Sequence, residues 1–261
     1  MTTEQLLQSL RFDGRAFING QRVSAKTGQV FDSISPVDGR ILTQVSRCAE
    51  ADVDGAVASA RAAFDDKRWS GLAPAVRKRV MTRFADLLLA HGDELALTET
   101  LDMGKPVQYA RAVDVNAAAN CVRWYGEAID KLYGEIAPTA STALALITRE
   151  PVGVVGVIVP WNYPMIMASW KIAPALAAGN SVVLKPSEKS PLTALRMAEL
   201  AMEAGVPAGV FNVVPGFGAE AGAPLALHMD VDCIAFTGST HVGKQIHVMA
   251  GQSNLKRAWT E

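Results

Sequence analysis

Lys185 and Glu188 stand three residues apart at the end of the apolar run Ser181–Leu184, with Pro186 between them. An ammonium and a carboxylate placed after a buried strand can hydrogen-bond the hydroxyls of a ribose. A carboxylate there favours a bare 2′-hydroxyl over a 2′-phosphate. A solvated loop that merely carries charge explains the same residues, and for this motif in isolation that explanation is the stronger one.

A second candidate site lies between Phe236 and Gly243, where a predicted strand turns into a predicted helix. Gly238 lets the backbone approach a ligand closely, and a helix that begins near Ser239 offers free N–H groups and a positive dipole end. Such a turn suits a pyrophosphate. The spacing is not G-x-G-x-x-G, and a plain tight turn with Ser or Thr as the helix N-cap accounts for it equally well.

The turn Pro215-Gly216-Phe217-Gly218 carries the same ambiguity. Its glycines serve either a plain turn or the room that the adenine side of a dinucleotide needs.

Asn162 and Glu261 are candidates for chemistry at the reacting atoms. Asn162 lies between Pro160 and Pro164, and its amide N–H could stabilise an oxyanion. The alternative is that Asn162 caps the helix that Pro164 begins. Glu261, at the end of a predicted strand, is either a base or a solvated charge.

A regular alternation of strands and helices must position these residues. From Val152 onward the sequence predicts about five strands separated by helices of about ten to fifteen residues. Such spacing implies right-handed βαβ units, and so an α/β fold with a Rossmann-like parallel sheet and helices on both faces. Ligands bind such sheets at the carboxyl ends of the strands, which is where the candidate residues fall.

The region before this alternation differs in pattern. An Asn19-Gly20 turn predicts a small hairpin, which we expect in a peripheral ribbon. A helical region follows, with a long helical stretch from Pro106 to about Tyr133. Residues 138–141 resemble a linker, and Thr142–Arg149 is a β-prone arm.

Composition excludes several classes of protein. The balance of 25 basic to 26 acidic residues gives no electrostatic case for nucleic acid or an anionic membrane. No apolar run approaches the length of a bilayer span, and the segment MTTEQLLQSLRFDG lacks the layout of a secretory signal, so we expect a cytoplasmic protein. The three cysteines have no metal-like spacing and H-E-x-x-H is absent, so we expect no metal site.

Taken together, these motifs resemble the aldehyde dehydrogenase superfamily over essentially the whole chain. The motifs that carry the resemblance occur in the family's order and spacing, and they are LDMGKP, PVGVVGVIVPWNYP, GNSVVLKPSEKSP, EAGVPAGVFNVVPGFG, FTGST-x-VG and LKRAWTE. The resemblance implies oxidation of an aldehyde to a carboxylic acid with NAD+, or with NADP+. The chain is most similar in character to members that act on ω-amino aldehydes, such as γ-glutamyl-γ-aminobutyraldehyde dehydrogenases.

The resemblance also implies a role for each candidate residue. Asn162 corresponds to the amide of the oxyanion hole, and Glu261 to the general base that activates the hydrolytic water. Lys185 and Glu188 correspond to the pair that holds the adenosine ribose.

Further residues correspond to the remaining parts of the site. Gly238 and Ser239 would meet the pyrophosphate, and Trp161, Gly218 and Val242 would line the adenine side.

Tyr163, Trp170 and Asp114 match positions on the family's substrate channel. Two aromatic faces and a carboxylate would suit a cationic amino group.

The resemblance divides the chain into regions. Residues 1–137 and 151–261 would form the dinucleotide-binding domain, and residues 138–150 an oligomerisation arm. Left alone, that arm would present an unpaired edge, so we expect a homo-oligomer.

The chain departs from the family in one respect. Members are nearly twice as long, and their nucleophilic cysteine lies beyond the position of Glu261. None of Cys48, Cys121 or Cys233 occupies that position. We therefore expect the catalytic domain to be absent from this chain, which alone could form no thiohemiacetal. The alternative is a catalytically inactive dinucleotide-binding or self-associating module.

Overall fold

The computed structural model describes residue 7 and residues 10–261, so the start of the amino-terminal segment considered above lies outside the described residues. The chain forms a seven-stranded mixed sheet, flanked by helices, and two small antiparallel sheets. Strands β1 (Ala16–Ile18) and β2 (Gln21–Val23) form the predicted hairpin. Asn19 and Gly20 both take a positive φ, 52° and 75°, as a two-residue turn of the I′ type requires.

This first hairpin is not peripheral, which corrects the expectation from sequence. Phe17 of β1 pairs antiparallel with Val213, so the hairpin extends the main sheet. The separate ribbon is instead made by β3 (Val30–Ile34) and β4 (Ile41–Ser46). The sequence of a short hairpin does not indicate which distant strand will pair with its free edge.

Three helices follow the ribbon: α1 (Glu50–Asp65), α2 (Pro74–Ala90) and α3 (Gly92–Met103). The predicted long helical stretch begins with Val107–Tyr109 and passes through a π-helical turn, Ala110–Val115. It continues as α4 (Asn116–Ala128) and ends in the 3₁₀ turn Ile129–Lys131.

The β arm is a hairpin of β5 (Glu135–Ala137) and β6 (Ala145–Ile147). The hairpin begins at Glu135, three residues before the predicted arm of residues 138–150. Glu135 pairs with Ile147, so residues 138–141, which resemble a linker in the sequence, lie in the loop between the two strands. Its apolar side chains remain exposed.

The remaining elements are those of the predicted alternation. In chain order they are β7 (Val154–Ile158), α5 (Pro164–Ala177), β8 (Ser181–Lys185), α6 (Leu192–Ala204), β9 (Phe211–Val213), a π-helical turn (Gly218–Gly222) leading into α7 (Ala223–Leu227), β10 (Cys233–Phe236), α8 (Thr240–Gln252) and β11 (Arg257–Thr260). Strands β7 to β11 are mutually parallel, as predicted.

The sheet order is β11-β10-β7-β8-β9-β1-β2. The chain winds outward from β7 through β8 to β9, then returns to the other side of β7 to form β10 and β11. The boundary between the neighbouring strands β7 and β10 is therefore a topological switch point. There the loops that follow the two strands run in opposite directions and leave a crevice.

Helices cover both faces of this sheet, which explains why β7 and β8 are buried throughout. Side chains alternate along β7: Val154 and Ile158 join a core that includes α1, α7 and α8. Val155 and Val157 join the larger core that includes α2 to α6. The two cores hold the carboxyl ends of the strands in place from either side.

Candidate functional site

The carboxyl ends of β7, β8 and β10 bring the first two candidate motifs to one edge of the sheet. Lys185 is the last residue of β8, and only 3% of it is exposed. Its Nζ lies 3.8 Å from a carboxylate oxygen of Glu188, which is its charged partner among the described residues. Burial lowers the pKa of Lys185, and Glu188 partly offsets that effect. Lys185 is thus a buried cation with one distant partner, rather than the solvated charge considered above.

Such a cation has unused capacity to donate hydrogen bonds. A buried ammonium is costly unless its N–H groups are satisfied, and a contact at 3.8 Å is longer than a hydrogen bond. The two residues therefore fit a ligand that carries hydroxyl groups, such as a ribose.

The turn after β10 has the form of an anion site. Ser239 is the N-cap of α8, and its Oγ accepts a hydrogen bond from the N–H of Val242 at 3.3 Å. The other N–H groups of the first helical turn have no partner within a helix. The N–H of Gly238, however, donates to the carbonyl of Glu261 at 3.1 Å. The amides at the start of α8 are therefore better placed for an anion than that of Gly238.

Gly218 and Trp161 lie on the periphery of the same crevice. A side chain at Gly218 would meet open space, so the position leaves room for a ligand. Trp161 is half exposed and lines a cavity of about 440 Å³ together with Glu188 and Phe217. Its carbonyl accepts a hydrogen bond from Ser190 Oγ at 3.1 Å, which ties the Trp161 loop to the loop after β8.

Asn162 is exposed in the bend between β7 and α5. The N-cap of α5 is Tyr163, without a side-chain capping bond, so Asn162 does not cap this helix. That observation removes the structural alternative for Asn162 and leaves its amide available to a ligand.

Glu261 follows β11 and faces Lys171 on α5. Its carboxylate accepts a hydrogen bond from Lys171 Nζ at 2.5 Å and another from Thr237 Oγ1 at 3.4 Å. The bond from Lys171 holds the pKa of Glu261 below its ordinary value. Glu261 is therefore ionised at neutral pH, which is the state that a base requires.

Trp170 shares a cavity of about 330 Å³ with Glu261. Cys121 and Trp124 of α4 also line that cavity. Aromatic rings from two helices thus stand beside the candidate base, as a channel for an organic substrate would require.

Asp114 has a different environment from the one that an exposed channel carboxylate would have. It is fully buried, and both of its oxygens accept hydrogen bonds from Lys105 Nζ, at 2.7 and 2.8 Å. The same ammonium lies 3.9 Å from the centre of the Tyr163 ring. Lys105 neutralises Asp114, so Asp114 contributes less attraction for a cationic substrate than its position in sequence suggests.

Glu99 of α3 is a second buried carboxyl in this neighbourhood. Neither of its oxygens has a hydrogen-bond partner among the described residues. Burial raises the pKa of Glu99 to about 8, and the charge of Asp114 adds to the effect. Glu99 is therefore largely protonated at neutral pH.

The three thiols are poor nucleophiles. Burial raises the pKa of Cys48, of Cys121 and of Cys233 above the ordinary value of a thiol. A thiol in that state reacts slowly because the thiolate is the attacking species.

Comparison with known proteins identifies the family of this chain. The family model described as "Aldehyde dehydrogenase family" matches residues 23–261. The chain belongs to the aldehyde dehydrogenase family. The resemblance inferred from the motifs is thereby confirmed, and with it the α/β fold.

Individual aldehyde dehydrogenases match this chain closely. The chain is 54% identical to the NADP/NAD-dependent aldehyde dehydrogenase PuuC of Escherichia coli (strain K12), over 97% of this chain and 51% of PuuC. The structure of γ-glutamyl-γ-aminobutyraldehyde dehydrogenase from Burkholderia cenocepacia J2315 superposes with a TM-score of 0.97 at 61% identity, over 100% of this chain and 53% of that one.

A third match carries ligands. A mutant of the P. syringae indole-3-acetaldehyde dehydrogenase AldA, in complex with NAD+ and IAA, superposes with a TM-score of 0.98 at 59% identity, over 99% of this chain and 52% of that one. The chain thus spans about half the length of the curated relatives it matches.

The described residues contain no helix long and apolar enough to cross a membrane. Within the same part of the chain, no group of three or more His, Cys, Asp or Glu residues could hold a metal ion.

Sequence reasoning missed the lysines that complete this site. Lys171 pairs with Glu261 across 90 positions of sequence, and Lys105 pairs with Asp114 across a π-helical turn. No local pattern marks such partners. The nearest sequence signal for Lys171 is Trp170, the predicted channel residue that precedes it.

Proposed function

We propose that this aldehyde dehydrogenase chain supplies the cofactor-binding half of a cytoplasmic enzyme that oxidises an aldehyde to a carboxylic acid with NAD+ or NADP+. The observation that carries the proposal is the buried Lys185 with its partner Glu188 at the carboxyl end of β8, next to the switch point of the sheet. A buried ammonium without a close counter-ion is stabilised by ligand hydroxyls, and the capped start of α8 lies on the other side of the same crevice.

The residues present fit such a cofactor. Lys185 and Glu188 would bind the adenosine ribose, and the turn at Gly238 and Ser239 would bind the pyrophosphate. Trp161, Gly218 and Val242 would line the adenine side. When bound, the nicotinamide supplies a hydride acceptor.

The chain's own residues would act on the substrate side as follows. Asn162, which is free of a capping role, would donate its amide N–H to the oxyanion that forms on the aldehyde oxygen. Glu261, held ionised by Lys171, would take a proton from the hydrolytic water.

We further propose an ω-amino aldehyde as the substrate. Trp170 presents a half-exposed aromatic face, which attracts a cationic amino group, whereas the Tyr163 ring already lies against the Lys105 ammonium and would serve as a wall of the channel. Asp114, paired with Lys105, would act indirectly by fixing the ammonium under the Tyr163 ring. The similar B. cenocepacia protein is a γ-glutamyl-γ-aminobutyraldehyde dehydrogenase, which supports this choice.

The isolated 261-residue chain would bind the cofactor but not turn over an aldehyde, because its three thiols are protonated. Calorimetric titration with NAD+ tests the first statement. We expect a heat of binding for the wild-type chain and weaker NAD+ binding for Glu188→Gln. No heat at high NAD+ concentration would contradict the proposal and favour a non-binding scaffold. Aldehyde-dependent NADH formation by the purified chain would contradict the second statement.

A self-associating role for residues 138–150 is the second proposal, and the exposed hairpin favours it. Ile136, Leu146 and Ile147 of β5 and β6 are 73%, 63% and 48% exposed. Exposed apolar side chains on a short hairpin mark a surface that binds another chain. Light scattering at high concentration should show oligomers, and Leu146→Lys should reduce their size; a strictly monomeric wild-type chain would contradict the proposal.

A further inference from the structure

Glu99, on α3, is a buried carboxyl group that the proposed reaction does not use. Its side chain is fully buried, and neither of its oxygens has a hydrogen-bond partner among the described residues. A buried polar group without a partner is costly, so such a group in a folded protein needs an explanation. The position of Glu99 relative to α5 supplies one.

Glu99 faces the start of α5, next to the bend that carries Asn162. The backbone N–H of Met165 favours the ionised form of the carboxyl group, so it lies close to Glu99. Met165 is the second residue of α5, whose N-cap, Tyr163, supplies no side-chain hydrogen bond. The amides of a first helical turn have no partner within the helix and favour a negative charge. Glu99 therefore stands at an uncapped helix start.

Lys105 links Glu99 to the same bend. Its ammonium is paired with Asp114 and lies 3.9 Å from the centre of the Tyr163 ring. The charges of both members of this pair act on Glu99: the lysine favours the ionised form of the carboxyl group, and the aspartate opposes it. The ammonium of Lys105 is thus a group that Tyr163 and an ionised Glu99 would both attract.

Asp102, the other buried carboxyl group in the second half of α3, is directed elsewhere. It accepts hydrogen bonds from Ser33 Oγ and from the N–H of Leu192. It adds a smaller repulsion to the ionised form of Glu99.

Two arginines also pack against α3, but at its first turn. Arg196 of α6 donates to Glu94, and Arg111 of the π-helical turn donates to Asp93. These ion pairs lie at the amino end of the helix, away from the bend that carries Asn162.

The protonation state of Glu99 decides how the bend is held. Burial and the charge of Asp114 raise the pKa of Glu99 to about 8, so the carboxyl group is neutral at neutral pH and leaves Lys105 to Asp114 and the Tyr163 ring. An ionised carboxyl group would compete with Asp114 for that ammonium and would accept from the N–H of Met165. Either interaction would displace the backbone that adjoins Asn162.

We infer that Glu99 is a positioning residue for Asn162. The neutral carboxyl group maintains the bend between β7 and α5, and loss of its proton shifts the bend through Lys105 and Tyr163. The inference rests on the proposed function where it concerns the reaction, since there Asn162 would donate to the oxyanion. Glu99 is buried and acts through its neighbours, so its ionisation would weaken that donation by moving the amide.

An NMR titration of the chain, with nitrogen-15 in its asparagine side chains, tests the inference. Between about pH 6 and about pH 9, the Asn162 amide signal of the wild-type chain should shift with a midpoint of about 8. Glu99→Gln, which keeps a neutral group of the same shape, should hold the signal at its low-pH position throughout. Glu203→Gln, at an exposed glutamate of α6, is the control and should titrate as the wild type does.

A carbon-13 titration of the Glu99 carboxyl in the wild-type chain tests the same link without a substitution, and its midpoint should coincide with that of the Asn162 signal. An Asn162 signal that does not move, or that moves with a different midpoint, overturns the inference. A shift that persists in Glu99→Gln also overturns it and assigns the movement to another group, such as Asp102.

The proposed function is tested separately by the heat of NAD+ binding. Failure of the Asn162 titration leaves cofactor binding standing. Absence of that heat overturns the proposed function and leaves the link between Glu99 and Asn162 intact.

Discussion

Two Lys–Glu pairs lie at the carboxyl ends of parallel strands, and different causes shift the pKa values of their side chains. In Lys185–Glu188, at the carboxyl end of β8, the lysine is buried and the glutamate is 30% exposed. The ammonium lies 3.8 Å from a carboxylate oxygen, and burial lowers the pKa of the lysine. In Lys171–Glu261, beside β11, the lysine is nearly buried but the carboxylate is 64% exposed. There a hydrogen bond of 2.5 Å lowers the pKa of the glutamate.

The difference shows how one pairing of residue types serves two chemical tasks. Where burial dominates, the ammonium keeps N–H groups that a ligand can satisfy, which suits binding. Where the hydrogen bond dominates, the carboxylate is held as an anion facing solvent, which suits a base. The location of each pair relative to the sheet, rather than the residues themselves, decides between the two.

The pair Lys105–Asp114, whose carboxylate is fully buried, extends this comparison and should give the largest effect. Asp114→Asn leaves the ammonium of Lys105 without its counter-ion, so we expect the free energy of unfolding to fall by about 3–5 kcal/mol, as measured by urea denaturation. Asp86→Asn, at the exposed partner of Arg123, is the control and should cost less than about 1 kcal/mol. Similar losses in the two variants would show that burial does not set the strength of these pairs.

Lys185→Met should have the next largest effect, on cofactor binding. Removal of the buried donor should weaken NAD+ affinity by about 10- to 100-fold in calorimetry, because hydrogen bonds to charged groups contribute about 1.5–3 kcal/mol. Lys189→Gln provides the comparison at a neighbouring lysine that is not buried. An unchanged affinity in Lys185→Met would make the pair a purely structural feature.

Glu99 offers a pH-dependent test of the role of burial. Its pKa in the folded chain is about 8, against 4.5 ordinarily, so the folded state binds more protons than the unfolded state between these values. The free energy of unfolding should therefore decrease as pH rises from about 5 to about 8, by on the order of 1 kcal/mol or more. Denaturation of Glu99→Gln across this range should give a smaller slope, and Asp102 should account for the remainder. An identical slope in both proteins would contradict the assignment to Glu99.

Lys171→Met should have the smallest effect. Without the hydrogen bond, the pKa of Glu261 should rise toward its ordinary value, and the change should be small because the carboxylate is mostly exposed. A carbon-13 NMR titration of the Glu261 carboxyl measures this shift. Lys26→Gln should leave the titration unchanged, and a downward shift in Lys171→Met would refute the pairing.

The parallel sheet could be predicted because its strands and helices are long and regularly spaced. Strands β7 to β11 form in the region where the sequence predicts about five strands, although β8 extends one residue beyond its apolar run to include Lys185. Helix α8 begins near Ser239, as expected. The placement of the Asn19-Gly20 hairpin could not be predicted, because its edge pairs with Val213 almost two hundred residues away. Strand pairing over that separation has no local signature.

The candidate site also contains residues that the sequence predicts and contacts that it does not. Lys185, Glu188 and Asn162 were identified because each follows a strand at a turn. The burial of Asp114 and the partners Lys105 and Lys171 depend on how α5 packs against the preceding helices, which no sequence window contains. Charge compensation between distant helices is a property of packing.

The backbone around Glu261 has one more consequence. Its N–H donates to the carbonyl of Phe236, and its carbonyl accepts from Gly238. A Cβ at Gly238 would also meet the Phe236 ring at 2.5 Å, so a substitution there would force the turn or the ring to move. The end of β11 and the start of α8 are joined by these backbone hydrogen bonds, so a displacement of the anion-binding turn would be transmitted to the backbone that carries the candidate base.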